Sequence, residues 1–285
     1  MTELFQYLFT GISIGTIYAL IAVGFCLTYN TTGIINFAQG EFVMLGGMFA
    51  IALHGSLGCS LFPAILASIL LTAGVGIVIE RLAIRPAIGA SLTTLIIITI
   101  GISFIIKAVV GSITKDEFIL PALPGPESQS ILGATISAQT IWSIVLGGAI
   151  VIALWIFLKQ TLVGATLRAL AENKQSIFNL GISSDPLAML AFSLSAAIGA
   201  AAGVLITPIT QMSWLRGTEL GLKGFCGAVL GGMGSIPGAV IGGLLIGVAE
   251  TAGSALVSGY KDVIAFGIVL LILYTRPEGI MKGKL

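Results

Sequence analysis

Charge is what this 285-residue sequence has least of: Lys, Arg, Asp and Glu make up 9% of it, against about 25% in soluble domains. The few cations are scattered and the net charge is +1, so there is no basic stripe for a phosphate backbone and no nucleic-acid partner. Histidine is nearly absent as well. A single His54, with Cys26, Cys59 and Cys226 far apart and no CxxC spacing, suggests neither a zinc site nor a disulfide framework. The same shortage removes Ser/His/Asp and Cys/His nucleophile arrangements, and no HExxH or paired-carboxylate helix face occurs. The glycine-rich 231–238, GGMGSIPG, lacks the lysine and the preceding strand of a phosphate loop, so the chain is not expected to hydrolyse ATP or to hold a cofactor of its own.

What is present is apolar. The chain is 56% hydrophobic with a mean hydropathy of +1.10, in repeated runs of about 20 residues, the length that crosses a hydrocarbon core as helix. This predicts an all-α polytopic membrane bundle with helical runs over 4–28, 37–53, 61–82, 92–110, 138–158, 187–206, 222–230, 239–257 and 263–274: about eight spans and one short, re-entrant or discontinuous element. The N-terminal run has no basic flank and reads as a first span rather than a cleaved signal. The 38 glycines fall in small-xxx-small spacing at Gly11/Gly15, Gly199/Gly203, Gly227/Gly231, Gly238/Gly242 and Gly243/Gly247, which predicts close helix crossings. Arg81, Arg85, Lys159, Arg168, Lys174, Arg276, Lys282 and Lys284 fall on one side of the membrane, and Lys115, Arg216, Lys223 and Lys261 on the other. The richer side is cytoplasmic.

Two connections stand out. The outer one, 114–137, carries Pro121, Pro124 and Pro126 and reads as a surface loop, either a solvated connection or a landing place for an external protein. The inner one, 164–182, places Leu167, Leu170, Ile177 and Phe178 at helical spacing, with Arg168, Glu172, Asn173 and Lys174 on a polar side and Gly181 as a stop. Asp185 before Pro186 then reads as the cap of the next helix. An amphipathic helix of this kind either rests on lipid headgroups or docks its apolar knobs in a partner's groove.

The helical pattern breaks twice, at 31–41 with Asn36, Gln39, Gly40 and Glu41, and at 231–238 with Gly232 and Gly234. Irregular backbone at membrane depth lines a path or is buried in protein, so these are pathway candidates, with cytoplasmic turns as the alternative. Glu250, inside an apolar run, faces the bundle, either in a structural hydrogen bond or as a pathway group, and Lys107 snorkels from near a helix end.

Together TTGIINFAQGEFVMLGG (31–47), RALAENKQSIFNLGI (168–182), GAVLGGMGSIPGAVIGG (227–243) and TRPEGI (275–280) resemble the permease subunits of branched-chain amino-acid ABC importers, nearly end to end. Urea and short-amide importers use very similar permeases. The resemblance implies one permease domain over 1–285 in the bacterial inner membrane, with a coupling segment at 160–185 and an external loop at 112–137. Partners would be a second permease in a heterodimer, two cytoplasmic ATPases that use the ATP, and an external substrate-binding protein. It assigns the inner connection to ATPase coupling, with Gly164, Arg168, Ala171, Glu172, Asn173 and Gly181 on matching positions beside the apolar Leu170 and Phe178. Gln39 departs from the histidine of many such stretches. The competing reading is a gradient-driven transporter or channel using Glu41 or Glu250 as its ion site.

Overall fold

The computed structural model describes residues 2–125, 129–131, 134–173, 181, 183–256 and 261–281. Among these the chain runs α1 (Thr2–Thr32), α2 (Gln39–Ile51), α3 (Leu61–Ile79), α4 (Leu92–Ile113), α5 (Ala138–Gln160), α6 (Leu162–Glu172), α7 (Ser184–Ile206), α8 (Arg216–Gly231), α9 (Ile236–Leu256) and α10 (Lys261–Thr275). One antiparallel hairpin, β1 (Gln129–Ile131) with β2 (Ala134–Ile136), sits in the outer connection, pairing Gln129 with Ile136. This is the expected all-α bundle. Six helical stretches are long and apolar enough to cross a membrane: Phe5–Thr32, Leu61–Ala87, Leu92–Ile113, Ala138–Gln160, Ser184–Ile206 and Ile236–Ala255. Among the described residues the other three elements of the bundle, α2, α8 and α10, do not meet that measure of length and hydropathy, so six of the expected eight full spans are shown.

Glycine decides which helices form the centre. Gly11 and Gly15 of α1 lie against Val248 and Leu244 of α9, while Gly243 and Gly247 of α9 lie against Ala19 and Gly15 of α1. Gly199 and Gly203 of α7 face Phe42 and Val43 of α2, and Gly227 of α8 meets Gly243. Any Cβ along these seams would meet backbone or the base of a side chain, so backbone-to-backbone packing holds the inner layer. As a result α1 and α7 are mostly buried, whereas α3, α4 and α5 expose most of their surface, including Leu66, Leu70, Ile97 and Ile152, as lipid-facing helices do.

Position along the membrane follows from local contacts. Near its start α1 is bonded to the outer hairpin through Gln6, whose amide donates to the Thr135 carbonyl (2.8 Å) and accepts from the Thr135 amide. At its far end it lies beside α6, on the cation-rich inner side. The outer connection is strapped down rather than free: Phe118 bridges Met212, the Leu123 amide donates to Gln139, and the Trp142 indole donates to the Pro124 carbonyl. Two expectations are corrected here. Arg216 and Lys223 are not in an outer loop but on α8 within the bundle, because α8 begins six residues before the apolar run that predicts it. And α7 starts at Ser184, with Ser183 at the N-cap position but making no side-chain cap bond; Asp185 is drawn to Arg85 at the end of the α3 stretch (2.7 Å).

Candidate functional site

The first break is an extended segment climbing back into the membrane. α1 stops where Gly33 takes a positive φ of 78° with its amide bonded back to Tyr29. Ile34 and Ile35 are β-branched and keep the chain open, and Asn36 turns it by accepting the Ala38 amide through Oδ1. α2 begins only at Gln39, and its start lies at the centre of the bundle. Gln39 donates to the Ser195 carbonyl (3.2 Å) and accepts from the Ser195 hydroxyl (2.6 Å), midway along α7. Glu41, 0% exposed, accepts from Ser103 (2.9 Å), midway along α4, and from Thr218 (3.1 Å) in the first turn of α8. Gly40 lies against Gly217 and Gly221, so the starts of α2 and α8 meet there.

Two side-chain atoms on this break have no hydrogen-bond partner although both residues are wholly buried: Asn36 Nδ2, a donor, and Glu41 Oε2, an acceptor. Leaving such groups unpaired in a low-dielectric interior is costly. Around them lies a polar stripe on α4, Thr99, Ser103 and Lys107, four residues apart and therefore on one helix face. Thr99 accepts the Phe37 amide (3.2 Å), and the Lys107 ammonium donates to Thr218 (3.0 Å). Lys107 thus bonds to α8 at the outer edge of this cluster rather than serving only as an anchor, and the i, i+4, i+8 spacing is the signal that could have shown it.

The other face of α8 carries a chain of charges. Arg216 pairs with Glu219 (2.7 Å), Glu219 approaches Lys223 (3.4 Å), and Lys223 pairs with Glu250 of α9 (2.8 Å), which also accepts from the Tyr18 hydroxyl of α1 (2.7 Å). The structural reading of Glu250 is the one this geometry favours: its carboxylate is neutralised by a buried lysine, an arrangement whose loss on one side leaves an uncompensated charge. Sequence reading missed Lys223 because its partner is 27 residues away.

The second break is elsewhere and differently built. α8 ends at Gly232 (φ 102°), followed by Gly234 (φ 97°), conformations that side chains adopt only under strain. Every polar turn here is answered: Asn30 donates to the Gly234 carbonyl (2.8 Å), Ser235 accepts the Gly238 amide, and the tail after α10 returns so that Ile280 and Met281 donate to the Leu230 and Gly231 carbonyls. Gly232 and Gly234 therefore sit at the inner end, about 22 Å along α8 from the Gly40 contact, and are not brought together with Asn36 and Glu41.

α6 is the described part of the inner connection; Phe178 lies outside the described residues, as do 174–180 and 182, and Gly181 has a positive φ of 73°. Thr161 caps α6 by accepting the Gly164 amide (2.9 Å), and Arg168 donates to the Leu158 carbonyl of α5 (3.0 Å). Gly164 itself packs on the Leu158 backbone. Leu170 is 2% exposed and Leu167 is equally covered, so the apolar side faces the bundle, not an outside groove: this corrects the expectation that Leu170 is a knob for a partner. The outward side is Ala165, Ala169, Glu172 and Asn173, with Leu162 and Val163 exposed in the first turn and Ala171 half-buried.

Comparison with known proteins places these features in a setting. A family model described as the branched-chain amino acid transport system permease component matches residues 7–273. The branched-chain amino acid permease protein BraD of Pseudomonas aeruginosa is 38% identical, over 99% of this chain and 97% of its own length. LivH of Escherichia coli, of the same description, is 35% identical over the same shares, and the Escherichia coli ribose import permease RbsC is 24% identical over 90% of this chain and 81% of its own. Among solved structures, PsaBC from Streptococcus pneumoniae in complex with Fab matches with a TM-score of 0.53 at 16% identity, over 98% of this chain and 93% of that one, a likeness of fold alone.

Proposed function

This chain belongs to the branched-chain amino acid transport system permease family, and from that premise we propose that it carries branched-chain amino acids or related small polar solutes inward across the bacterial inner membrane, as the permease subunit of an ATP-binding-cassette importer. The observation that carries the reading is the match of 38% over essentially both full lengths to a high-affinity branched-chain amino acid permease. Two ATPase subunits, a second and different permease and an external binding protein complete the machine. Of the short elements, α2 and α10 bring the count to about eight membrane-crossing segments, and α8 is the discontinuous helix.

Coupling rests on α6 and the segment after it. Because α6 is capped from Thr161, tied by Arg168 to α5 and packed through Leu167 beside Leu27 and Thr31 of α1, a push on its outer face moves α5 and the inner end of α1 as one piece. That end of α1 holds Asn30 against Gly234 and leads straight into the extended segment before Glu41. ATPase closure would then rock the glycine seams at the centre between outward and inward access. The low alanine face of α6 suits a close-fitting partner groove. Ala169→Trp is expected to reduce co-purification of the ATPases while the permease remains folded; Leu170→Asp, in contrast, is expected to unfold the inner end of the bundle, because it buries a charge.

The deciding experiment is uptake of labelled leucine and of urea into vesicles holding the complete complex with its binding protein. Uptake that requires ATP and the ATPases supports the proposal, and the preferred solute fixes the substrate. Uptake that follows an ion gradient without ATPase subunits would establish the secondary-transport reading instead.

A further inference from the structure

We propose that Arg216 and Glu219 form a subsite for the zwitterionic end of an amino acid in the outer half of the transport path, Arg216 taking the α-carboxylate and Glu219 the α-ammonium. The inference rests on the permease reading above and goes beyond it by naming the groups that touch substrate.

Depth comes first. Trp214 lies against Gly111 in the last turn of α4, at the outer boundary, and Thr218 is bonded to Lys107 one turn further in. Arg216 and Glu219 therefore lie between the outer boundary and the centre. Their side chains are nevertheless 37% and 41% exposed, while Lys223, one turn on, is buried. Charges exposed at this depth do not face lipid; they face a wet path or the second permease, and the subunit ratio in the test separates the two.

The chemistry is complementary. An ion pair that sits open to water, Nη1 to Oε2 at 2.7 Å, can be exchanged for two ion pairs with a zwitterion, so opening it costs little. Leu215 and Leu222, both exposed, flank Glu219 at i−4 and i+3 and offer an aliphatic side chain a surface to rest on. Further in, on the opposite face of α8, Glu41 Oε2 is buried without a partner against Gly217 and is not part of this subsite. The carboxylate that receives the ammonium also holds Lys223 at 3.4 Å, and Lys223 holds Glu250, so occupancy is felt by α9 and α1.

The test uses the complete importer in proteoliposomes with saturating binding protein, scoring leucine uptake, ATP hydrolysis and subunit ratio. Glu219→Gln and Arg216→Gln are each expected to slow leucine uptake about tenfold, the worth of one charge-assisted hydrogen bond, with subunit ratio and ATP hydrolysis kept. The exchanged pair, Arg216→Glu with Glu219→Arg, restores the internal ion pair but presents the charges in reverse, and uptake is expected to stay slow. Uptake by the single variants within about twofold of the parent, or rescue by the exchanged pair, overturns the proposal in favour of a purely structural bridge. Loss of the second permease from the single variants overturns it in favour of a subunit contact. A parent complex that carries urea but no amino acid, or nothing at all, refutes the amino-acid reading itself and is distinguished by the parent control.

Discussion

The two breaks in this chain look alike as sequence, each a glycine within a short polar interruption of an apolar run, and are opposite as structure. At 232–235 the positive-φ glycines, Asn30, Ser235 and the returning tail answer one another's hydrogen bonds, and the break lies at the inner end beside α6. At 33–38 the chain runs without regular structure to a turn at 36–39 in the bundle centre, leaving a donor on Asn36 and, at the start of α2, an acceptor on Glu41 unanswered. A satisfied break is a corner and an unsatisfied one is available for chemistry. The difference teaches that polar interruptions are told apart by what pairs with them.

The comparison can be broken most severely at the seam where α2 and α8 start. Gly40→Leu would drive a side chain into the Gly217 carbonyl and the Gly221 backbone, and overpacking of this sort costs about 1–3 kcal/mol or more, so little monodisperse protein is expected from detergent. The matched control, Gly101→Leu on the open face of α4, should extract normally. If Gly40→Leu instead folds and only transport falls, the seam is a pathway wall rather than a packing contact.

Next in size is the satisfied break. Gly234→Ala forces a side chain onto a backbone at φ 97° against Asn30, a strain of about 1–3 kcal/mol, seen as a lower thermal midpoint. Because this corner joins α1, α8 and the tail beside α6, coupling of ATP hydrolysis to uptake is expected to loosen as well. The smallest effect on stability is expected at the unsatisfied break: Glu41→Gln keeps the oxygen that accepts from Ser103 and Thr218, so the fold should change by less than about 1 kcal/mol while uptake drops severalfold. A stability loss larger than that of Gly234→Ala would show Glu41 to be a structural strut and erase the distinction between the breaks.

Much of this was legible from spacing. Both breaks, the glycine seams, the long apolar helices and the amphipathic character of α6 follow from period, residue size and charge count, although α6 ends at Glu172 rather than at the expected stop, Gly181. What was not legible depends on partners distant in the chain. Arg216, Glu219 and Lys223 read as an outer connection because three charges in eight residues do not belong in a membrane, until Glu250 and one another neutralise them. The amphipathicity of α6 reveals that Leu167 and Leu170 share a face but not that Leu27 of α1 lies beside it. Thr99 and Ser103 were hidden in an apolar helix as residues that ordinarily bond to their own preceding turn.

The pairing of α1 with α9 also sets the order in which the molecule can be made. Gly15 of α1 lies against Leu244 and Gly247, about 230 residues later, a wait on the order of 10–50 s at roughly 5–20 residues per second. Until then the glycine face of α1 lacks its partner in α9. Assembly of this permease therefore depends on how long the glycine face of α1 can be kept unpaired, and a translation stall between α1 and α9 is a more serious hazard than one after α10 has closed the tail onto α8.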